Sequence, residues 1–298
     1  MVKLSIIILS FNTEKLTKEC IYSLLRSLGR TPQLKAEIIV VDNASSDGSI
    51  PMLKSLQGSR SAKSRIKIFL NRKNVGFPAG NNQAVKRAEG EYILFLNSDV
   101  VIEDVDFAKV ISYLDTHPKT GVLTVKMNLP HGGIDPASHR GFPTLWNAFC
   151  YFLKLEEVFK GTPFLNKLFG GYHLIHLDLK VVHAIDSPSG AFYLTRRSLF
   201  KKLKGFDESF FMYGEDLDLS YRIKKLGYNI IYYPHYSVTH FKYASGLEAE
   251  TSDTRANTKR YFYEAMKIFY RKHYEKSNPE ILNKIVYIII DFLKNNYE

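Results

Sequence analysis

Two acidic segments, far apart in the chain, hold the residue types best suited to chemistry on a phosphorylated substrate. Asn97-Ser98-Asp99 follows the apolar run Tyr92-Ile93-Leu94-Phe95-Leu96. A carboxylate at the end of a parallel strand stands where a diphosphate would lie, and Asp99 offers the hard oxygen donors that Mg2+ or Mn2+ take. Alone, the tripeptide is equally an Asn/Asp turn. Glu215, Asp216 and Asp218 open a helical pattern behind a loop containing Phe210, Phe211 and Tyr213. The helix dipole stabilises acids in that position, while the neighbouring rings suit a partly dry pocket in which one carboxylate acts as general base. His240, in Ser237-Val238-Thr239-His240, can supply a second metal ligand through a ring nitrogen, although a lone His among aromatics is more often simply packed. In Val41-Asp42-Asn43-Ala44-Ser45-Ser46-Asp47-Gly48, Asp42 can accept hydrogen bonds from a base or ribose, with Gly48 allowing a sharp turn. The same residues also fit a polar turn in which Asp47 or Ser49 caps the next helix.

These residues need a scaffold, and the first third of the chain has the pattern of one. Short β-branched runs at 4–9, 37–41, 66–70 and 92–96 alternate with helical patterns at 14–28, 49–56 and 80–88, which predicts an α/β domain with a mainly parallel sheet. Leu16, Cys20, Leu24 and Leu28 share one face of the first helix. Ligands of open parallel sheets sit beyond the carboxyl ends of the strands, so the site belongs there. Between about 130 and 175, Gly132-Gly133, Pro130, Pro136, Pro143 and many aromatics leave no clear period. Beyond it the pattern predicts strands at 191–194 and 229–233, helices at 198–203 and 216–226, and a helical tail from about 255. The resulting division is 1–120, which carries Asp42 and Asp99, 121–245, which carries Asp216 and His240, and a tail at 246–298.

At 298 residues and 45% hydrophobic content, the chain can bury a substantial core. Lys and Arg exceed Asp and Glu by 41 − 30 = 11, a positive field that favours phosphates, acidic lipids or nucleic acid alike. Helix-turn-helix and RNA-binding signatures are missing, so nucleic acid is not an expected partner. Cys20 and Cys150, far apart, argue against a disulfide framework and a structural zinc site, and a reducing, cytoplasmic setting is the default. The apolar start at 4–9 is too short for a leader and reads as a strand. No run reaches the roughly 20 apolar residues of a spanning helix, so any membrane contact would be peripheral.

Taken together, these segments resemble the family-2 glycosyltransferases of the GT-A fold, the rhamnosyltransferase-like members above all. The matching pieces are 5–12, 40–49, 74–82, 94–100, 189–197 and the 205–221 block running on towards His240, in the family's order. The resemblance implies an inverting transferase that moves a sugar from a nucleotide diphosphate donor to a hydroxyl of a glycan or polyprenyl-linked precursor, with Mg2+ or Mn2+. dTDP-rhamnose is the first expectation for the donor and a UDP-hexose the next. It further implies that Ser10, Asn12, Asp42, Asn74, Gly76, Asn81, Asn97 and Ser98 line the nucleotide, and that Asp99 and His240 hold the metal. Asp216 would be the base with Glu215 beside it, and Asp186, Ser189 and Gly190 would meet the acceptor. Two departures stand out: Asn97 replaces the first acid of the family's DxD motif, and Ser187 or Pro188 stands where many relatives carry an aromatic residue. Two rivals are weaker: a nucleotide-sugar binder without turnover has only Asn97 in its favour, and Ser10-Phe11-Asn12-Thr13-Glu14 is not the basic, Gly-rich loop of a nucleotidyltransferase. In the tail, Arg255, Lys259, Arg260, Lys267, Arg271 and Lys272 alternate with Tyr261, Phe262, Phe269, Tyr270 and Tyr274. This suits either an anionic membrane surface or packing of Phe262, Met266 and Phe269 on the catalytic domain.

Overall fold

Leu4, Ile6, Ile7 and Ile8 are wholly buried in β1 (Leu4–Ser10), because a central parallel strand is covered on both faces and takes an unbroken apolar run. The computed structural model describes residues 1–58, 65–242 and 252–296. After β1 come α1 (Glu14–Gly29), β2 (Ala36–Asp42), α2 (Ser49–Gly58), β3 (Ile66–Leu70), α3 (Phe77–Val85) and β4 (Tyr92–Asn97). Next are β5 (Val100–Asp104), α4 (Phe107–Thr116), β6 (Thr120–Asn128) and three short helices, α5 (Leu145–Phe152), α6 (Leu155–Val158) and α7 (Pro163–Phe169). The chain continues with β7 (His183–Ile185), β8 (Phe192–Arg196), α8 (Arg197–Lys202), α9 (Glu215–Lys225) and β9 (Asn229–His240), then α10 (Ser252–His273) and α11 (Glu280–Asn296).

All strands join one sheet in the order β3-β2-β1-β4-β8-β6-β9-β5, with β7 also on β9. The β3-β2-β1-β4 half is parallel throughout. In the second half β8 runs antiparallel to β4 and β6, β6 and β9 are parallel, and β5 and β7 pair antiparallel with β9. Alternate residues feed two cores. Ile6 and Ile8 pack with Cys20, Leu24, Leu53 and Leu114 of α1, α2 and α4, whereas Ile7 faces Val85, Phe200, Leu219 and Ile223 of α3, α8 and α9. Each face of the sheet is thereby sealed by helices, and only the strand ends are left for a ligand.

Several expected boundaries shift for identifiable reasons. α3 starts at Phe77, ahead of the expected 80, because Pro78 suits the first turn of a helix and Gly76 provides the turn before it. β9 runs past the expected 233 to His240; its register slips between Val125 and Lys126 of β6, so the strand survives the interruption at Pro234-His235. The unreadable stretch holds the three short helices.

The tail packs on the body. Phe210, Leu217, Ala265 and Phe269 form a third buried cluster with Tyr213 and Tyr221 against it. The Phe262 ring meets Tyr213 edge-on at 6.0 Å. Lys272 bridges Asp207 and Asp218, so part of the tail's basic character is consumed in holding α10 down. The side chain of Arg255 lies outside the described residues, as do residues 246–251 of the expected tail. No described helix is long and apolar enough to cross a membrane.

Candidate functional site

Asp99 and His240 meet because β5 pairs with β9 in a register that sets Val100 opposite His240. Asp99 Oδ1 is 3.3 Å from His240 Nε2, and both residues are 5% exposed. The other ring nitrogen, Nδ1, lies 2.9 Å from Asp135 Oδ2, and Lys242 Nζ is 2.8 Å from Asp135 Oδ1. Burial works against charge on the imidazole, but hydrogen bonds to Asp135 and Asp99 outweigh it and raise the His240 pKa to about 9. Asp135, fully buried, moves the other way: desolvation opposes its charge, yet His240 and Lys242 hold it well below the usual carboxylate range. Sequence reading missed Asp135, which sits before a short 3-10 turn in the Gly- and Pro-rich stretch and has no local signature.

The second centre is Asp216, in the first turn of α9. Arg140 Nη2 donates to its Oδ2 at 2.8 Å, the Gly190 N–H donates to the same oxygen at 3.0 Å, and the Leu217 N–H donates to Oδ1 at 2.7 Å. A carboxylate oxygen accepts about two hydrogen bonds, so among the described residues Oδ2 is full and Oδ1 retains one lone pair. Arg140 also exchanges backbone hydrogen bonds with Ser187, tying the 186–190 loop to Asp216. Sequence reading missed Arg140 too.

Glu215, 5% exposed, is pushed up to about 8 by burial and then by the Asp216 charge, and its Oε2 is without a hydrogen-bond partner among the described residues. Asp218, third of the acidic group, serves the scaffold: it binds Arg222, Lys272 and His273. The loop before α9 is strained, Tyr213 at φ 68° preceding Gly214 at φ 77°. Burial raises the Tyr213 hydroxyl pKa, and the charges of Glu215 and Asp99 add to the rise. A link runs through the backbone: Ala191, beside the Gly190 that caps Asp216, accepts from the Asn97 N–H.

The remaining expected site residues line the ends of β1, β2 and β4. Ser10 and Ser98 join a buried hydroxyl chain through Thr13 and Thr17. Asn12, at φ 52°, accepts from the Ser46 N–H and donates its own N–H to Ser45. Asp42 is fully buried and closes its own turn, taking the Ser45 N–H at 2.8 Å and the Ser45 hydroxyl at 2.7 Å. Asp47 accepts from the Glu14 and Ser49 N–H groups at the starts of α1 and α2. Asn74 accepts from Asn43 and from the Gly76 N–H. Gly76 sits at φ 85°, and a Cβ there would fall 2.6 Å from the Phe211 carbonyl oxygen, so only glycine allows this approach. The Asn81 amide donates back to Phe77, whereas Asn97 Oδ1 is buried with no partner among the described residues. In the 186–190 loop, expected to meet the acceptor, Asp186 is already engaged by Lys224 and the Phe142 N–H. Among the described residues the Ser189 hydroxyl makes only long contacts, to Met127 Sδ and the Ala191 N–H.

The chain is 28% identical over 173 residues to the rhamnosyltransferase WbbL of Escherichia coli, covering 56% of this chain and 61% of that protein. It is 24% identical over 229 residues to the N-acetylglucosaminyl-diphospho-decaprenol L-rhamnosyltransferase of Mycobacterium tuberculosis, covering 73% and 70%. Against protein y4gI of Sinorhizobium fredii the match spans 24% of the relative, so this chain corresponds to only part of some relatives. Among solved structures, the mannosyltransferase PcManGT of Pyrobaculum calidifontis, in complex with GDP-Man and Mn2+, superposes with a TM-score of 0.60 at 15% identity over 99% of this chain and 70% of that one. TarS 1-349 of S. aureus with UDP-GlcNAc gives 0.58 at 21% identity over 90% and 65%. These likenesses establish a GT-A fold. The profile described as "Glycosyl transferase family 2" matches residues 5–173, more than half of the chain, and the chain therefore belongs to that family.

Proposed function

We propose that the chain is an inverting, metal-dependent glycosyltransferase that moves a sugar from a nucleotide diphosphate donor to a hydroxyl of a glycan or lipid-linked precursor. The observation that carries this reading is Asp216, whose Oδ1 accepts only from the Leu217 N–H among the described residues, with the buried Asp99–His240 pair as a second polar centre. An acceptor hydroxyl donating to Oδ1 loses its proton there as its oxygen bonds to the anomeric carbon. The bond from that carbon to the donor phosphate breaks in the same step, the nucleoside diphosphate leaves from the opposite face, and the configuration inverts. No covalent sugar–enzyme intermediate is required, in contrast to the two-step retaining route of hydrolases.

Asp99 and His240 would hold a hard divalent ion through a carboxylate oxygen and an imidazole nitrogen, which lie 3.3 Å apart and buried. Bound there, Mg2+ or Mn2+ would neutralise charge on the departing diphosphate. Asp135 accepts the hydrogen bond from Nδ1–H, so that were a metal to displace the second ring proton, Nε2 would be the ligand atom. Asn97 Oδ1 is an acceptor with spare capacity for a donor hydroxyl. Protonated Glu215 spares Asp216 a second adjacent negative charge.

For the donor, dTDP-rhamnose comes first, supported by the two rhamnosyltransferase relatives, and UDP-hexoses second. A panel of nucleotide sugars with Mn2+, scored by thermal stabilisation and by transfer to candidate acceptors, tests this reading. Stabilisation equals RT ln(1 + [L]/Kd), so a cognate donor at a hundredfold excess over Kd adds about 2.7 kcal/mol. A panel in which no nucleotide sugar stabilises the protein would defeat the proposal.

A further inference from the structure

The α5–α7 segment has an unusual surface. Trp146, Phe149, Leu153, Val158, Phe164 and Leu168 are between 45% and 77% exposed, and α7 buries none of its residues. Its rings form a chain: Trp146 lies 5.8 Å from the Phe149 ring and 5.7 Å from Phe169, and Phe169 stacks on Phe159 at 4.6 Å. Trp146 also donates to the Leu168 carbonyl at 2.8 Å, joining α5 to α7. Exposed large apolar patches mark contact surfaces.

The charges around the patch select the partner. Lys154, Lys160, Lys167 and Lys180 are exposed and make no ion pair among the described residues. Glu156 is buried against His173, leaving Glu157 and Asp178 as the exposed acids of the segment. Trp and Phe beside unpaired lysines form the amphipathic surface that settles on an anionic bilayer. The patch also adjoins the acceptor loop: Asn147, next to Trp146, donates to the Phe142 carbonyl, and the Phe142 N–H donates to Asp186. α11 offers a contrast. It too exposes Ile281, Ile285, Ile288 and Phe292, but its charges are paired, Glu280 with Lys284 and Asp291 with Lys267.

We propose that the α5–α7 segment docks on an anionic lipid surface and so presents the acceptor loop to a lipid-linked acceptor. The acceptor half of this statement rests on the proposed transfer reaction; the docking half does not. Trp146 is the sole tryptophan of the chain, so its fluorescence reports on this patch alone.

The test mixes the full chain with vesicles of phosphatidylcholine, with and without phosphatidylglycerol, at low salt and without donor. Flotation with the anionic vesicles, a blue shift of Trp146 emission and its quenching by brominated acyl chains are expected. Phe149→Ser with Phe164→Ser should abolish flotation. Lys160→Gln and Lys167→Gln should each weaken it about fivefold, and Ile285→Ser with Ile288→Ser in α11 should leave it unchanged. Three outcomes overturn the proposal: no flotation, flotation without a change at Trp146, or burial of Trp146 by self-association in solution. Transfer to a soluble acceptor by a chain that ignores vesicles would sink the docking and leave the reaction standing. Vesicle binding by a chain inert towards every donor would do the reverse.

Discussion

Replacing Arg140 with Gln leaves Asp216 with a stranded charge, and the cost can be worked out from the contacts. Arg140 Nη2 is 2.8 Å from Asp216 Oδ2, with the side chains 13% and 10% exposed. Removing one partner of such a desolvated pair costs about 3–5 kcal/mol. The N–H groups of Gly190 and Leu217 stay on the carboxylate, so we expect the low end, about 3 kcal/mol at pH 7. Adding Asp216→Asn removes the stranded charge, and the double variant should recover about 2 kcal/mol relative to the sum of the singles. The hydrogen bond from Arg140 to the Pro188 carbonyl is lost in both arms of the cycle and cancels. Urea unfolding of the four proteins, read by circular dichroism with slope and midpoint fitted, gives the coupling. Additive single effects would refute the reasoning, because Asp216 would then be held by something other than Arg140.

Other perturbations separate the parts of the site. Asp135→Asn should weaken Mn2+ binding by about 10–100-fold with little change in fold, as loss of an outer partner of a His ligand does; titration calorimetry reads this directly. Glu215 is protonated in the folded state up to about pH 8 and ordinarily ionises near 4.3, so folding takes up a proton between those values. Stability should therefore fall by up to about 1.4 kcal/mol per pH unit as pH rises through that window, and Glu215→Gln should flatten the pH dependence of thermal unfolding. Gly76→Ala should cost more than about 1 kcal/mol in thermal unfolding, because φ 85° is strained for alanine and its Cβ meets the Phe211 carbonyl.

The sequence made the strands of the parallel half legible because their apolar runs are unbroken and end in polar loops. The acidic start of α9 was legible for the same kind of reason, a local pattern behind an aromatic loop. What joins the two centres was not. Asp99 meets His240 only through the pairing of β5 with β9, and a register between distant strands leaves no trace in composition. Arg140 and Asp135 are single charged residues in a stretch without period, and their importance comes from partners brought to them by the fold. For Asp42 the sequence allowed both a base contact and a turn; its two hydrogen bonds to Ser45 are those of the turn. The tail allowed two readings as well, and Phe269 is buried in the cluster that α10 makes with α9.

Asp216→Asn bears most directly on the central claim, since it keeps the shape of the side chain and removes its capacity to take a proton. General-base assistance is worth about 10²–10⁴ in rate. With the cognate donor, acceptor and Mn2+, kcat should fall by that factor while the calorimetric Kd for the nucleotide sugar stays unchanged. Turnover within a few-fold of the unaltered protein would mean that the acceptor's proton goes elsewhere, and the account of the site built on Asp216 would be wrong.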